Sequence, residues 1–347
     1  MIYTSRQSQG GGVFVAFLLL VVVLAAAGYW LWQDYQRFRT TPLQISGEGF
    51  NYQVRPGTSL TAVANDLESK GILRQPLYLR ALAKDLGVSN KIKAGEYLIP
   101  AGTTPEMLLE RLVRGKVIEY SLTLIEGWNF EQALDAVRNH PMLVQTLPVS
   151  LSTEQLMQEL GYQGQYPEGR FFPDTYLFPR GTTDVDFLKR SYERMQRVLA
   201  EEWENRSEDI PLKTPYEALT LASIIEKETG LPEERHAVAG VFIRRLQKGM
   251  LLQTDPTVIY GMGDAYDGNI RKKDLTTDTP YNTYTRPGLT PTPICLPGRE
   301  SINAALNPAE GDTLYFVADG NGGHTFSRTL QEHNRAVKQY LQNRKKN

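Results

Sequence analysis

Hydrophobic positions near the start of the chain form one long uninterrupted run. Residues 13–32 are 20 uncharged, mostly apolar residues, which as a helix would span about 30 Å, the thickness of a hydrocarbon core. Ala25 and Ala27 would also suit a signal-peptide cleavage site, but the apolar run continues through YWLW, where a mature N-terminus should turn polar. We therefore predict an uncleaved transmembrane anchor at 13–32, after a cytoplasmic tail at 1–12 and before a polar linker at 33–48.

The charges beside this span do not give its orientation directly. Arg37 and Arg39 follow the span and Arg6 precedes it, which runs against a simple positive-inside count. A tail of 12 residues is too short to be the working part of the protein. We therefore expect the large C-terminal portion to lie on the outer side of the membrane.

Residues 49–118 combine short alternating runs with amphipathic ones. NYQV reads as a strand, LTAVANDLESKGIL and QPLYLRALAKDLG as helices that end at glycine, and IKAGEYLIPAG as a closing strand. A strand, two helices and a strand, with PGTSL after the first strand, resemble the LysM class of glycan-binding module. A packing domain without ligand fits the same pattern, and both interpretations stay open.

Residues 119–343 mix helical and strand-like periods, which predicts an α+β domain. Helices are expected at 184–206, at 214–230, from Pro232, and from about Arg328. Residues 135–164 read as helix, loop and helix. Residues 253–261 are expected to be extended and turn-like, since Asp255 precedes a proline. TLYFVADGNGGHTF alternates around a glycine-rich turn, as a β-hairpin does.

The helix at 214–230 has hardly any polar face, which predicts burial on nearly every side. Thr214 and Glu217 suit a capping box, and Gly230 a left-handed stop. The last turn then carries Glu226, Lys227 and Glu228 among small and apolar neighbours. A desolvated carboxyl group keeps its proton to a higher pH, as a general acid requires. Helical geometry does not separate the two glutamates, and charges at a helix end also mark simple emergence into solvent.

Two loops rich in aromatic and hydroxyl side chains are predicted at 166–183 and 276–288. Such loops suit sugar binding, in which rings stack on sugar faces and polar groups fix the hydroxyls. The same aromatic residues also suit a rigid buried loop.

Composition excludes several classes of function. The 347 residues carry a net charge of −1 with scattered basic residues, so the chain has no electrostatic footprint for nucleic acid. A single cysteine, Cys295, excludes an intrachain disulfide and a cysteine-based zinc site. His324 has no second histidine at ligand spacing, so we assign it a structural or supporting role. No metal and no cofactor is expected.

Five motifs occur in order behind the predicted anchor: EGRFFPDTY, LASIIEKET, LQTDPTVIYG, YNTY and YFVADGNGGHTF. Together they resemble the membrane-anchored endolytic murein transglycosylases of the YceG-like family, from about Phe50 to the last helix. The resemblance implies cleavage of the β-1,4 bond between N-acetylmuramic acid and N-acetylglucosamine within peptidoglycan strands. It implies cleavage without water, which leaves a 1,6-anhydro-muramyl end.

By position in these motifs, the resemblance assigns the catalytic glutamate to Glu226. The same motifs and the side-chain chemistry make six residues candidates for the substrate-binding lining: Glu168, Gln253, Asp255, Tyr281, Asn282 and Tyr284. The resemblance further implies a single-pass protein of the cell inner membrane, with the catalytic domain on the periplasmic side. It points to release of nascent strands and to an association with peptidoglycan synthases.

Two other functions remain open from the residues. A hydrolytic muramidase would use two carboxylates, with Asp255 or Glu168 as the second. A non-catalytic cell-wall-binding scaffold would hold glycan through the LysM-like module.

Overall fold

The computed structural model describes residues 10–344 and divides the chain into two compact units between Tyr120 and Ser121. The predicted tail at 1–12 lies outside the described residues except for its last three. Each unit contains helices and strands, so the fold is mixed α+β, as predicted.

The first helix, α1 (Gly10–Thr40), includes the predicted anchor. Its large apolar side chains from Phe14 to Trp32 are exposed, and the helix is long and apolar enough to cross a membrane. Exposed apolar surface of this extent needs a partner such as a bilayer. The structure differs from the predicted linker, because α1 continues through residues 33–40 and Phe38 and Leu43 are buried in the core of the first unit.

The remainder of the first unit follows the predicted order of strand, two helices and strand. Strands β1 and β2 are antiparallel, with Tyr52 opposite Tyr97. The fully buried Leu67, Leu79 and Leu82 belong to one core with both tyrosines. The resemblance of this part of the first unit to a LysM module stays a prediction. The elements are β1 (Gly49–Val54), α2 (Leu60–Ser69), α3 (Pro76–Asp85), β2 (Gly95–Pro100) and α4 (Pro105–Arg114).

The second unit is mostly helical, with two short sheets of two strands each. Strand β3 (Glu119–Thr123) pairs with β4 (Thr175–Pro179), which lies within the predicted aromatic loop. The hairpin predicted near the C-terminus is confirmed as β5 (Tyr315–Ala318) and β6 (His324–Ser327). The helices are α5 (Phe130–Arg138), α6 (Thr153–Glu159), α7 (Asp184–Glu204), α8 (Pro215–Glu228), α9 (Arg235–Gln247), α10 (Asp255–Met262), α11 (Lys272–Thr276), α12 (Arg299–Leu306) and α13 (Leu330–Arg344).

Helix α8 forms the centre of the core of this unit. Every residue from 218 to 225 is buried, and α7, α9, α10 and α12 all contact the helix. Burying one leucine or isoleucine side chain contributes about 1.5–3 kcal/mol, so this apolar surface fixes the position of α8 firmly. The predicted burial on nearly every side is confirmed.

The ends of α8 agree with the sequence only in part. The Thr214 side chain caps the amide of Glu217, as predicted, but the Glu217 carboxylate accepts from the amide of Lys213 instead of returning to Thr214. The predicted left-handed stop at Gly230 is wrong. The chain leaves the helix through Thr229 in an extended conformation, and Gly230 has no positive φ.

The expected extended segment at 253–261 is also wrong, because most of it forms α10. Asp255 begins the helix and Pro256 occupies the first turn. A backbone N–H in the first turn has no acceptor within the helix, so a proline, which lacks this N–H, is tolerated there. A 3₁₀ turn at Pro232–Glu234 precedes α9, close to the predicted helix start.

Candidate active site

The last turn of α8 presents three charged side chains to three different surroundings. Successive residues of a helix are rotated by about 100°. Glu228 therefore lines one cavity and Lys227 lines a second, larger one. Glu226 lines neither and instead accepts a hydrogen bond from the amide of Gly298.

The Glu228 cavity, which we name after its buried acid, has a volume of about 430 Å³. This volume lies within the range of small-ligand sites. Three of the predicted substrate-binding residues, Gln253, Asp255 and Tyr284, share this cavity with Glu228. The structure thus brings these three residues together around an acid.

The Glu228 carboxyl group is largely desolvated, although part of the residue is accessible through the cavity. Burial, reinforced by the nearby Asp255 carboxylate, raises the pKa of Glu228 to about 7. The Thr254 hydroxyl and the Arg245 guanidinium act in the opposite direction. Near neutral pH the group is therefore present in both its acid and its base form, which suits proton transfer in either direction.

Asp255 is held at the opening of α10 by a neighbouring tyrosine. The Tyr284 hydroxyl donates to Asp255 Oδ1 at 2.6 Å. Burial, followed by this hydrogen bond, raises the pKa of Tyr284 above its usual value, so the phenol keeps its proton. A hydrogen bond to an ionised acceptor is a strong one, and it fixes the Asp255 carboxylate beside Glu228.

Asn282, another predicted substrate-binding residue, has a different role. It is 1% exposed, and its side-chain nitrogen donates to the backbone carbonyls of Asp274, Leu275 and Thr277. Its side-chain oxygen accepts from the amide of Tyr284. Asn282 therefore shapes the loop that carries Tyr284 and does not line the Glu228 cavity.

Gln253 adopts a conformation that few side chains tolerate. Among residues 10–344 it is the one non-glycine residue with positive φ, at 52°. Arg245 fixes the backbone of the two residues before Gln253, since its Nη1 donates to the carbonyls of Leu251 and Leu252 at 3.2 and 2.7 Å. Backbone strain of this kind persists only where surrounding contacts enforce it, and it is frequent at functional sites.

The hairpin and α13 form the remaining wall of the Glu228 cavity. His324 Nδ1 lies 2.7 Å from Glu234 Oε2, and its amide donates to Glu234 Oε1 at 2.8 Å. This agrees with the supporting role predicted for His324. Sequence reasoning missed Arg245, Tyr315 and His333 as cavity residues, because each reaches the site from a distant part of the chain.

Glu226 occupies a polar cluster and is not among the residues that line either cavity. Its side chain is 7% exposed, its Oε2 lies 3.0 Å from the Gly298 amide, and its Oε1 lies 3.8 Å from Arg235 Nη2. Burial, followed by the charge of Glu226, raises the pKa of the neighbouring Glu126. Each of these contacts engages one carboxylate oxygen, and Glu226 is partly buried, as Glu228 is. Glu228, which lines a cavity, and Glu226, which is held by Gly298, therefore both stay candidates for the acid.

The larger cavity, which we name the Glu168 cleft, has a volume of about 830 Å³. Glu168 is 4% exposed, and its two oxygens accept from the Phe130 amide at 2.9 Å and the Tyr260 hydroxyl at 3.0 Å. Burial raises the pKa of Glu168 to about 7. Tyr281 lines the same cleft, so five of the six predicted substrate-binding residues are divided between two cavities and Asn282 lines neither.

The lone cysteine has no activating environment. Cys295 is 1% exposed, and burial raises the pKa of its thiol well above the usual value. Across residues 10–344, no group of three or more His, Cys, Asp or Glu side chains could hold a metal ion.

Known proteins resemble this chain over most of its length. The sequence model of the YceG-like family matches residues 52–339. A Bacillus subtilis protein named endolytic murein transglycosylase is 31% identical over 309 residues, which cover 84% of this chain and 84% of that protein. A Streptococcus pneumoniae protein of the same name is 27% identical, with 94% of this chain and 65% of the relative covered.

A solved structure resembles the chain as well. The crystal structure of a YceG-like protein from Listeria monocytogenes superposes with a TM-score of 0.53 at 29% sequence identity. The superposition covers 83% of this chain and 98% of that one. Since the family model and a relative above 30% identity both span most of the sequence, the chain belongs to the YceG-like family.

Proposed function

We propose that this protein is an endolytic murein transglycosylase in which Glu228 is the catalytic acid. The observation that carries the proposal is a desolvated carboxyl group, with a pKa of about 7, that lines a ligand-sized cavity at the end of the core helix. The relatives named endolytic murein transglycosylase supply the substrate class, which is peptidoglycan. The bond cut is the β-1,4 bond between N-acetylmuramic acid and N-acetylglucosamine within a strand.

The reaction needs one carboxyl group, which acts first as a general acid and then as a general base. Protonated Glu228 donates its proton to the glycosidic oxygen as the bond to C1 breaks. The resulting carboxylate takes the proton of the muramyl C6 hydroxyl, and that oxygen bonds to C1. The products are a new N-acetylglucosamine end and a 1,6-anhydro-muramyl end, and water is not consumed. Because the nucleophile belongs to the substrate, its attack is intramolecular and gains a large effective concentration.

Asp255 supports this step electrostatically. Positive charge develops at C1 in the transition state. A carboxylate fixed in advance by Tyr284 stabilises such charge without reorganisation during the reaction. Arg245 holds the loop before Gln253 in place through its hydrogen bonds to two backbone carbonyls of that loop.

A hydrolytic muramidase is the second candidate, because Asp255 lies close enough to Glu228 to raise its pKa. In a hydrolase Asp255 would activate water or attack C1, and the new muramyl end would be a reducing end. A non-catalytic wall-binding scaffold is less well supported, since it gives no role to a desolvated acid whose ionisation is unfavourable.

Helix α1 and the family membership support a proposal for where in the cell this activity takes place. The exposed apolar helix supports attachment to the cell inner membrane, with the catalytic unit on the periplasmic side. There the enzyme would release nascent strands beside the peptidoglycan synthases.

The two glutamates of α8 offer a matched pair of variants to test the acid. Both lie in the last turn of α8, and glutamine keeps nearly the shape of glutamate. We expect Glu228→Gln to lower kcat/KM on purified glycan strands about a thousandfold, the upper part of the range for lost acid catalysis. Glu226→Gln should retain most activity when its fold is intact by circular dichroism. The reverse result would restore the assignment to Glu226.

A further inference from the structure

Helix α3 packs against α1 immediately beyond the predicted span. Trp32 is exposed, whereas the residues of α1 from 33 to 36 are partly buried. Asp34 Oδ2 accepts from Gln75 Nε2 at 3.2 Å and from the Tyr78 hydroxyl at 3.1 Å. Since a helix rises about 1.5 Å per residue, Asp34 lies about 3 Å past Trp32, which is the depth of the headgroups when the hydrocarbon ends at Trp32.

The contacts of α3 with α1 show that the two helices cross. The ends of α3 lie about 15 Å apart, since the helix has 10 residues. Yet Gln75, just before its start, donates to Asp34, and Asp85, at its end, accepts from the Tyr35 hydroxyl. Asp34 and Tyr35 are consecutive, so both ends of α3 meet α1 at nearly the same level. The helix therefore runs along the surface of a bilayer that α1 spans.

One face of α3 is buried and the opposite face is exposed. Leu79 and Leu82 belong to the core of the first unit, together with Phe38, which lies farther along α1 than Asp34. The core is thus on the side of α3 away from the span. The opposite face carries four exposed residues at helical spacing, Leu77, Arg80, Ala81 and Lys84. A bilayer around the span would therefore meet this basic and apolar face.

Arg80 and Lys84 line a groove of about 430 Å³ that α3 shares with the start of α2. The other polar side chains of its lining are Ser59, Thr61, Ser89 and Asn90. Within residues 10–344, no acidic side chain lines this groove. Ser59 caps α2, whose first backbone N–H groups carry partial positive charge. Two cations, neutral polar groups and a helix N-terminus together suit a phosphate group.

We propose that this groove, which we name the α3 groove, binds the headgroup of an anionic phospholipid in the bilayer that α1 spans. Arg80 and Lys84 hold the lipid phosphate, and Leu77, which is 69% exposed, contacts the apolar layer beneath the headgroups. The first unit is thereby held to the membrane surface at a second point besides α1. The inference rests on the proposed attachment of α1 to a bilayer and not on the proposed reaction.

The test compares two lipids beside the groove in the full-length protein. Ala62→Cys adds a thiol for a fluorescent dye at an exposed position next to the lining, whereas Cys295 is 1% exposed. The labelled protein is placed in phosphatidylcholine nanodiscs that contain a small fraction of spin-labelled phosphatidylglycerol or of spin-labelled phosphatidylcholine. Quenching of the dye should show that phosphatidylglycerol associates about thirtyfold more strongly, the factor expected for two basic residues that attract an anionic headgroup.

Removal of the two cations should abolish this preference. With Arg80→Gln and Lys84→Gln combined, both lipids should quench the dye equally. Arg114→Gln combined with Lys116→Gln removes the same charge outside the groove, and this control should keep the preference. Arg80→Lys combined with Lys84→Arg retains both charges and should keep it as well. Circular dichroism checks the fold of each variant.

Equal quenching by both lipids in the parent protein would overturn the proposal, as would an equal loss of preference in the control. The double glutamine variant should also bind peptidoglycan strands that carry stem peptides as tightly as the parent does in calorimetric titration. Weakened strand binding without any lipid preference in the parent would assign the groove to the cell wall and refute the lipid. A protein that does not enter the nanodiscs would refute the anchor and, with it, the docking of the α3 groove, whereas the proposed reaction is tested separately by the ends of cut strands.

Discussion

Replacing Glu228 by glutamine should make the protein more stable at neutral and alkaline pH. The pKa of this carboxyl is raised from 4.5 to about 7 in the folded state. Below the unfolded pKa both states are protonated, and the group has no effect on the pH dependence of folding. Between the unfolded pKa of 4.5 and the folded pKa of about 7, the unfolded state has released its proton and the folded state still holds it, so folding takes up a proton. Stability is lost over that window.

The magnitude follows from linkage. At about 1.4 kcal/mol for each pKa unit, a shift from 4.5 to about 7 lowers the free energy of unfolding by about 3 kcal/mol above the folded pKa. Glutamine does not ionise, so the variant escapes this loss. Other titrating groups, including Glu168, are present in both proteins and cancel in the comparison.

Thermal melting of both proteins in detergent, followed by circular dichroism from about pH 4.5 to about pH 8, measures the effect. For a unit of this size, 3 kcal/mol corresponds to roughly 6–12 °C in Tm. The difference in Tm between Glu228→Gln and the unaltered protein should therefore increase by this amount from the acid end to the alkaline end of the range. Glu226→Gln serves as the control, since it weakens the contacts to Gly298 and Arg235 and should gain nothing. Parallel pH curves for Glu228→Gln and the unaltered protein would refute a desolvated acid at this position.

Three further outcomes are expected. The value of kcat/KM should fall as pH rises through about 7, where Glu228 loses its proton, and a profile that stays flat into alkaline conditions would contradict an acid role. Arg245→Met should lower the free energy of unfolding in urea by at least about 3 kcal/mol, because it leaves buried carbonyls without donors; a loss near zero would remove Arg245 as the support of Gln253. Protein from washed membranes should begin near Met1 by N-terminal sequencing, and proteases should reach its C-terminal region in spheroplasts. A start at Gly28 would indicate a cleaved signal peptide.

Local sequence signals predicted the features that depend on neighbouring residues. Thr214 caps α8 because its hydroxyl needs only the amide three positions ahead. The burial of α8 followed from the lack of polar residues between 218 and 225. The hairpin around the glycine-rich turn formed where alternation and turn residues agreed.

The features that the sequence did not predict depend on contacts between distant residues. Glu226 and Glu228 have nearly the same local sequence, and their surroundings differ because Gly298, 72 residues away, meets Glu226; the assignment of the acid to Glu226 stays a prediction. Asp255 before a proline reads as a turn, yet a helix start accepts the same pair. Arg245 contributes to the site through the carbonyls of another segment, which no periodicity reveals.

The chemistry of the cut end distinguishes the proposed reaction from hydrolysis. Peptide-free glycan strands digested by the full-length protein should give new muramyl ends that are lighter by one water than reducing ends, as mass spectrometry distinguishes. The anhydro ends should appear with the unaltered protein and with Glu226→Gln, and should be absent with Glu228→Gln. New reducing ends would show that water attacks C1, with Asp255 as the second carboxylate, and anhydro ends formed at an undiminished rate by Glu228→Gln would contradict the assignment of the acid.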